Sequence, residues 1–214
     1  LIMKNPGHII HLIDRYSPSY FGVTRVISQM SPYLKRRGLA STILTAGRAE
    51  AEAPPGVELR EFPLLPGAGA WRYPRGLKEY LARLGGAGQV LHLHGVWMAP
   101  QWLAARAAAR HDLAAILTPH NMLAPWLWRQ GILHRLKKQL YWHTLAQPAF
   151  RRLTLIHAFT QKERDEVAPF FPGQTVEVIP NAIDLVETGR ELAKAEGEPG
   201  GLDGPYLLFL GRLH

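Results

Sequence analysis

The 214-residue chain contains no cysteine. Disulfides, thiolate catalysis and cysteine-based zinc sites are therefore excluded. No apolar run approaches the length that spans a bilayer, so no transmembrane helix is expected. The amino end, "LIMKNPGHIIHLI", sets two histidines within its apolar stretch and carries no signal-peptide cleavage pattern. A cytoplasmic protein is the expectation. Several fingerprints are missing as well. There is no Gly-x-Gly-x-x-Gly turn after the first strand, no phosphate-loop Gly-Lys-Ser/Thr turn and no nucleophile elbow. Internal repeats and low-complexity tracts are absent too. Acidic residues are missing from one long stretch: none occurs from Leu113 to Lys162.

That stretch holds seven cations, Arg129, Arg135, Lys137, Lys138, Arg151, Arg152 and Lys162, and accounts for most of the net charge of +8. Five of the six tryptophans lie between Trp97 and Trp142, in it or just before it. A basic, tryptophan-rich surface suits nucleic acid, polyphosphate or an anionic membrane. A solvated basic helix whose aromatics pack in the core suits the same residues.

Short apolar strands alternate with helical stretches along the chain. Strands are predicted at 8–13, 40–45, 57–62, 89–94, 113–118, 153–158 and 176–179. The helix after the first strand sets Val23, Val26, Ile27, Met30 and Leu34 on one face. Pro32 should kink or shorten it, and Gly38 should stop it. Further helices are predicted at 77–84, 101–110, 133–146 and 162–168. In the third of these, Leu133, Leu136 and Leu140 line one side, with Arg135 and Lys138 on another. The pattern predicts an α/β fold, a Rossmann-like parallel sheet with helices on both faces. "ETGRELAKAEGEPGGLDG" (187–204) is charged, rich in glycine and has little to bury, as linkers do. The expected organisation is a domain over 1–186, a linker over 187–204, and at 205–214 the first strand of a second domain.

Ligands of such sheets bind at the carboxyl ends of the strands. Asp14, His94, His120 and Thr160 follow or end strands and should project toward that edge. Gly22 is expected in a turn before the first long helix, where backbone amides can hold an anion. His92 and His94, two apart on a strand, share one face. No carboxylate or third ligand stands near them in sequence, so no metal site is expected.

Several motifs together resemble glycosyltransferase family 4, whose retaining enzymes use nucleotide-sugars and have the two-domain GT-B architecture. "VIPNAID" (178–184) is similar to that family's Pro-Asn-Gly-Val/Ile-Asp signature. "LLFLGRLH" (207–214) resembles the opening strand and Gly-Arg-Leu turn of the donor-binding domain. "HLHGVW" (92–97) and "TPHNML" (118–123) resemble segments of a bacterial branch that builds surface polysaccharides. "LKKQLYW" (136–142) and "HAFTQKERDEV" (157–167) stand in the expected order.

The resemblance implies an acceptor-binding domain that faces a donor-binding domain across a cleft. It implies His120 near the reacting sugar, with Asp14, His94, Asn121 and Thr160 toward the acceptor. Gly22 and Arg212 approach the donor diphosphate, and Asn181 and Asp184 lie between the domains. No cofactor and no metal are implied, since turn amides and an arginine stabilise the diphosphate leaving group. The donor phosphate itself helps deprotonate the acceptor. If that acceptor is lipid-linked, Trp126, Trp128, Arg129, Arg135, Lys137 and Lys138 would form a rim against an anionic membrane at the inner face of the plasma membrane. Asn121 stands where the family has glycine, as does Ala182, and Phe21-Gly22 where it has a glycine pair. The lysine that follows the Gly-Arg turn and the Glu-x7-Glu segment are not in the sequence, so the chain is expected to be an inactive half by itself. A basic module that binds nucleic acid is the rival reading, and it has no nucleic-acid motif to support it. A nucleotide-sugar epimerase is a third, opposed by the missing glycine fingerprint and the lack of a Tyr-x-x-x-Lys pair.

Overall fold

A computed structural model describes residues 7–85, 88–129 and 131–182, together with Gly189. Its strands are β1 (His8–Ile13), β2 (Ala40–Ala46), β3 (Glu58–Phe62), β4 (Gln89–His94), β5 (Ala114–Thr118), β6 (Leu155–Ala158) and β7 (Val176–Val178). All pair in parallel, in the order β3-β2-β1-β4-β5-β6-β7. β1 and β4 lie at the centre with most of their residues buried on both faces. β3, at the edge, is mostly exposed: Glu58 and Arg60 pair with each other at the surface, and Phe62 at its end is buried.

The helices are α1 (Phe21–Arg36), α2 (Leu77–Leu81), α3 (Ala99–His111), α4 (Ile132–Tyr141), α5 (Gln147–Phe150) and α6 (Gln161–Val167). Side chains alternate across a strand, so the sheet has two layers. Ile10, Leu12, Leu91, Leu93, Leu117 and Ile156 face one way, into a core completed by α2, α3, α5 and α6. Ile13 and Ile43 face the other way, against Val23 and Ile27 of α1. Helices thus cover both faces, as expected, though among the described residues α1 alone packs on the second.

Local chemistry explains most boundaries. α1 ends in a left-handed Gly38 (φ 76°), and the Leu39 amide returns to the Leu34 carbonyl at 3.0 Å. This is the six-to-one closure that favours glycine. Pro32 does not shorten the helix, which runs on to Arg36. The continuous helix expected at 133–146 is in fact α4 followed by a wide π turn at Trp142–Ala146 and then α5. Pro148 lies just beyond and has no N–H to continue the α-helical ladder. The helix expected to reach residue 84 stops at Leu81.

Residues 1–181 form one compact unit and 182–214 a second. The expected linker and terminal strand, with Asp184 and Arg212, lie outside the described residues.

Candidate active site at the carboxyl edge of the sheet

The strand order reverses between β1 and β4, so the crevice for a ligand lies beyond their carboxyl ends. Asp14 leaves β1 there, His94 and Gly95 end β4, His120 and Asn121 follow β5, and Thr160 follows β6. The predicted edge is the observed one.

Its interior is a layer of histidines. β1 and β4 set His11 beside His92, and β4 and β5 set His94 beside Thr118. All four side chains are buried on the face opposite the apolar core. Two relays run through them. In the first, His11 Nδ1 meets His94 Nε2 at 3.2 Å, and His94 Nδ1 meets His120 Nε2 at 2.9 Å. In the second, His92 Nε2 meets the Thr118 hydroxyl at 2.8 Å, that hydroxyl meets His157 Nδ1 at 3.0 Å, and His157 Nε2 meets the Ile179 carbonyl at 2.7 Å. Burial, with like charges close by, holds these rings neutral. His11 is pushed down to about 4 and His120 to about 3, and His92 and His94 lie well below the usual range.

The backbone at His120 is unusual. Both His120 (φ 54°) and Asn121 (φ 57°) are left-handed. Asparagine and histidine are among the few non-glycine residues that enter this region, which explains how Asn121 stands in for glycine; two in succession still store strain. Glu163 holds the turn. Its carboxylate, buried, accepts the Asn121 amide at 2.6 Å and the Phe159 amide at 2.8 Å, which ties the loop after β5 to the loop after β6. Thr160, exposed at the surface, caps α6 through its hydroxyl, which accepts the Glu163 amide at 3.0 Å. Gly95 (φ 90°) lets the loops close. A Cβ there would stand 3.1 Å from the Met122 sulfur.

Asp14 is buried, and burial raises its pKa against the pull of Arg72. Arg72 donates to the carbonyls of Asp14 and Ala46 and so clasps the ends of β1 and β2. Gln101 donates to the His94 carbonyl at 2.7 Å, and its own side-chain oxygen is buried without a partner among the described residues. Gly22 lies not in a turn ahead of α1 but in its first helical turn, with open space where a Cβ would be. The helix start has no side-chain cap and no acidic residue in its first turn.

Of the expected residues, His120 and Asn121 are the accessible ones nearest the centre, while His94 is buried behind His120. His11, Thr118, His157, Glu163 and Arg72 were not anticipated. Glu163 had a signal, the Thr-x-x-Glu spacing of a helix start. The second histidine of "HIIHLI" was another. Arg72 arrives from a loop with no motif. His11 also supplies what the His92 and His94 pair lacked: the three rings bring nitrogens within 4.8 Å of one another, a spacing that could share an ion. Both nitrogens of His94 are already hydrogen-bonded, so an ion there would have to break the first relay.

The basic stretch departs from expectation in a different way. Trp128 turns inward, donating to the Leu123 carbonyl at 3.2 Å and stacking on Phe170. Lys138 donates to the Leu127 carbonyl at 2.8 Å and lies over the Trp97 ring. Both leave the proposed rim because hydrogen bonds and aromatic packing claim them. The apolar side of α4 takes their place at the surface. Ile132 is 80% exposed, Leu133 77%, Leu136 55% and Leu140 65%, with Trp126 at 60%. Arg129, Arg135 and Lys137 are exposed as well. Asn181, beyond β7, is also at the surface.

The sequence model of Glycosyltransferase Family 4 matches residues 21–187. No curated protein matches the chain. Among solved structures, Anabaena HepE, crystallised in complex with UDP, is similar with a TM-score of 0.54 at 13% identity, over 88% of this chain and 50% of that one. A Listeria monocytogenes protein described as a UDP-N-acetylglucosamine 2-epimerase gives a TM-score of 0.51 at 10% identity, over 80% of this chain and 44% of that one. At such identities the likeness is one of fold, and fold alone does not choose a reaction. The chain spans about half the length of these two structures.

Proposed function

The chain belongs to glycosyltransferase family 4, and on that footing we propose that it is the acceptor-binding half of a retaining glycosyltransferase. The enzyme moves a sugar from a UDP-, GDP- or ADP-linked donor to a saccharide or lipid-linked saccharide, in the assembly of a bacterial surface polysaccharide. One observation carries the reading: left-handed His120, beyond β5, is held by His94 from the end of β4 beside the reversal point, and its other ring nitrogen has no partner among the described residues. The uncapped first turn of α1 at Gly22 offers amides to the donor diphosphate, and Arg212 offers a guanidinium. Charge builds on that diphosphate as the glycosidic bond breaks, so fixed donors of this kind lower the barrier without a metal. The donor phosphate then helps take the acceptor proton, and His120 positions the reacting groups. Asp14, Asn121 and Thr160 line the acceptor side, and Asn181 and Asp184 lie toward the donor domain.

The exposed side of α4 gives the membrane part of the proposal its support. Its apolar residues are more than half exposed, and exposed cations flank them with no acid from Leu113 to Lys162. A helix of this pattern lies in the interface of an anionic bilayer. A protein that works at the inner face of the plasma membrane would meet a lipid-linked acceptor there.

The test is nucleotide release from a panel of UDP-, GDP- and ADP-sugars by the full gene product, by this chain, and by a His120→Ala form of the former. Release by the full product alone, reduced about 100-fold or more by the substitution, is the expected result. No release from any donor, with membrane extract added as acceptor, would overturn the reading. In its place would stand a polyanion-binding module. For that, Lys78, Arg106, Arg110, Arg151 and Arg152 line one groove with no carboxylate in its wall, and steeply salt-dependent binding of an oligonucleotide would be the sign.

A further inference from the structure

The first histidine relay has a direction, and the direction decides what His120 can do. A neutral imidazole has one N–H and one bare nitrogen. Three rings joined nitrogen to nitrogen therefore have two self-consistent arrangements. In one, His11 donates from Nδ1 to His94, His94 donates from Nδ1 to His120, and His120 is left with Nδ1–H facing outward. In the other every proton moves to the opposite nitrogen, and His120 turns a lone pair outward.

The inner end separates the two. His11 Nε2 is buried and has no hydrogen-bond partner among the described residues. The first arrangement leaves it as a bare lone pair and the second as an N–H with nothing to receive it. Among buried main-chain groups an orphaned N–H is rarer than an under-satisfied acceptor, and the same preference selects the first arrangement. The inner end is also closed to solvent, so no proton can pass along the relay to reverse it. The second relay shows the same sense, fixed there by a carbonyl. Ile179 can only accept, so His157 donates from Nε2; a ring with that single N–H takes the Thr118 hydroxyl on Nδ1, and that oxygen accepts from His92. Both relays run outward from the middle of the sheet.

We infer that His11 and His94 are positioning residues that lock His120 as the Nδ1–H tautomer, so that it serves the cleft as a hydrogen-bond donor and not as a base. The outer nitrogen has the access this needs: His120 Nδ1 has no partner among the described residues and is not among the buried orphans. Its low basicity agrees, since a ring whose pKa is pushed down to about 3 is a poor acceptor for a hydroxyl proton. The ligand is thus an acceptor atom, a sugar or phosphate oxygen. That last step rests on the function proposed above, whereas the tautomer stands on the geometry alone.

Long-range proton–nitrogen NMR of the histidine rings in this chain separates the two levels without any assay of activity. His120, assigned by its loss in His120→Gln, is expected to show a protonated Nδ1 and a bare Nε2 at neutral pH. In His11→Phe the inner constraint is gone, and His120 should become a mixture of tautomers while His92 and His157 keep theirs. A His120 protonated at Nε2 in the wild-type chain would overturn the inference, as would one charged at neutral pH. If His11→Phe does not fold, the wild-type spectrum still decides. Zinc added alone should leave the rings unchanged. Shifts confined to His11, His92 and His94 would mean that an ion, and not the relay, organises them.

Discussion

The two faces of β4 make a controlled comparison. Leu91 and Leu93 point into the apolar core; His92 and His94 alternate with them and are just as buried. Same strand, same depth, opposite chemistry. The leucines are held by non-directional burial, and a different apolar residue of similar volume would serve. The histidines are held by directed bonds, in which each ring fixes the next, and a ring without its neighbour is left unpaired. Burial therefore does not separate the part of this sheet that stabilises from the part that presents a functional group. Hydrogen-bond direction does.

Acid should break the comparison most strongly, because it attacks one face only. The histidines are neutral when folded and take protons near their ordinary value when unfolded. The unfolded chain thus binds more protons, and stability falls as pH drops below the ordinary value of 6.5 toward about 4 for His11 and about 3 for His120. Each such ring contributes a slope of about 1.4 kcal/mol per pH unit in that window. His11 alone would cost about 3 kcal/mol between about pH 7 and about pH 4.5. Urea titrations across that range should show a steep, reversible loss. A flat profile would mean that the rings are charged or solvated in the folded state.

Single substitutions come next. Leu93→Ala removes a buried side chain from the apolar face and should cost about 2–5 kcal/mol, by an amount that changes little with pH. Thr118→Val, nearly isosteric, breaks the second relay and leaves two ring nitrogens without their partner. It should cost about 1–3 kcal/mol, less than Leu93→Ala, and the loss should vary with pH because it changes how buried His92 holds its proton. Equal and pH-independent losses from the two variants would erase the distinction between the faces.

The apolar face of the sheet was legible in the sequence and the polar face only in part. Short apolar runs place every strand and the 3.6-residue period nearly every helix, because burial leaves a local pattern. The carboxyl edge follows from the strand order, so Asp14, His94, His120, Asn121 and Thr160 are found where expected. What joins them is not local. His11 and His94 are 83 residues apart and Asn121 and Glu163 are 42 apart. Nothing in either stretch alone specifies the partner. What α4 meets is not local either. Its leucine spacing is that of a packed helix, and spacing says which residues share a side but not what that side meets.

That helix supplies the smallest effect on stability and the sharpest control. Leu136 is the same residue type as Leu93, on a side that faces water. Leu136→Ser should change unfolding free energy by no more than about 0.5 kcal/mol. Its cost should appear elsewhere. If the α4 face lies in an anionic bilayer, loss of one interfacial leucine removes about 1.5–3 kcal/mol of burial there, a fall of roughly tenfold or more in vesicle co-sedimentation. Arg135→Glu should weaken the same binding and make it less sensitive to salt. Wild-type chain that ignores anionic vesicles at every salt concentration would take the membrane out of the proposal. It would leave Leu136 as an apolar residue whose partner is another protein surface, and the stability comparison with Leu93 would stand unchanged.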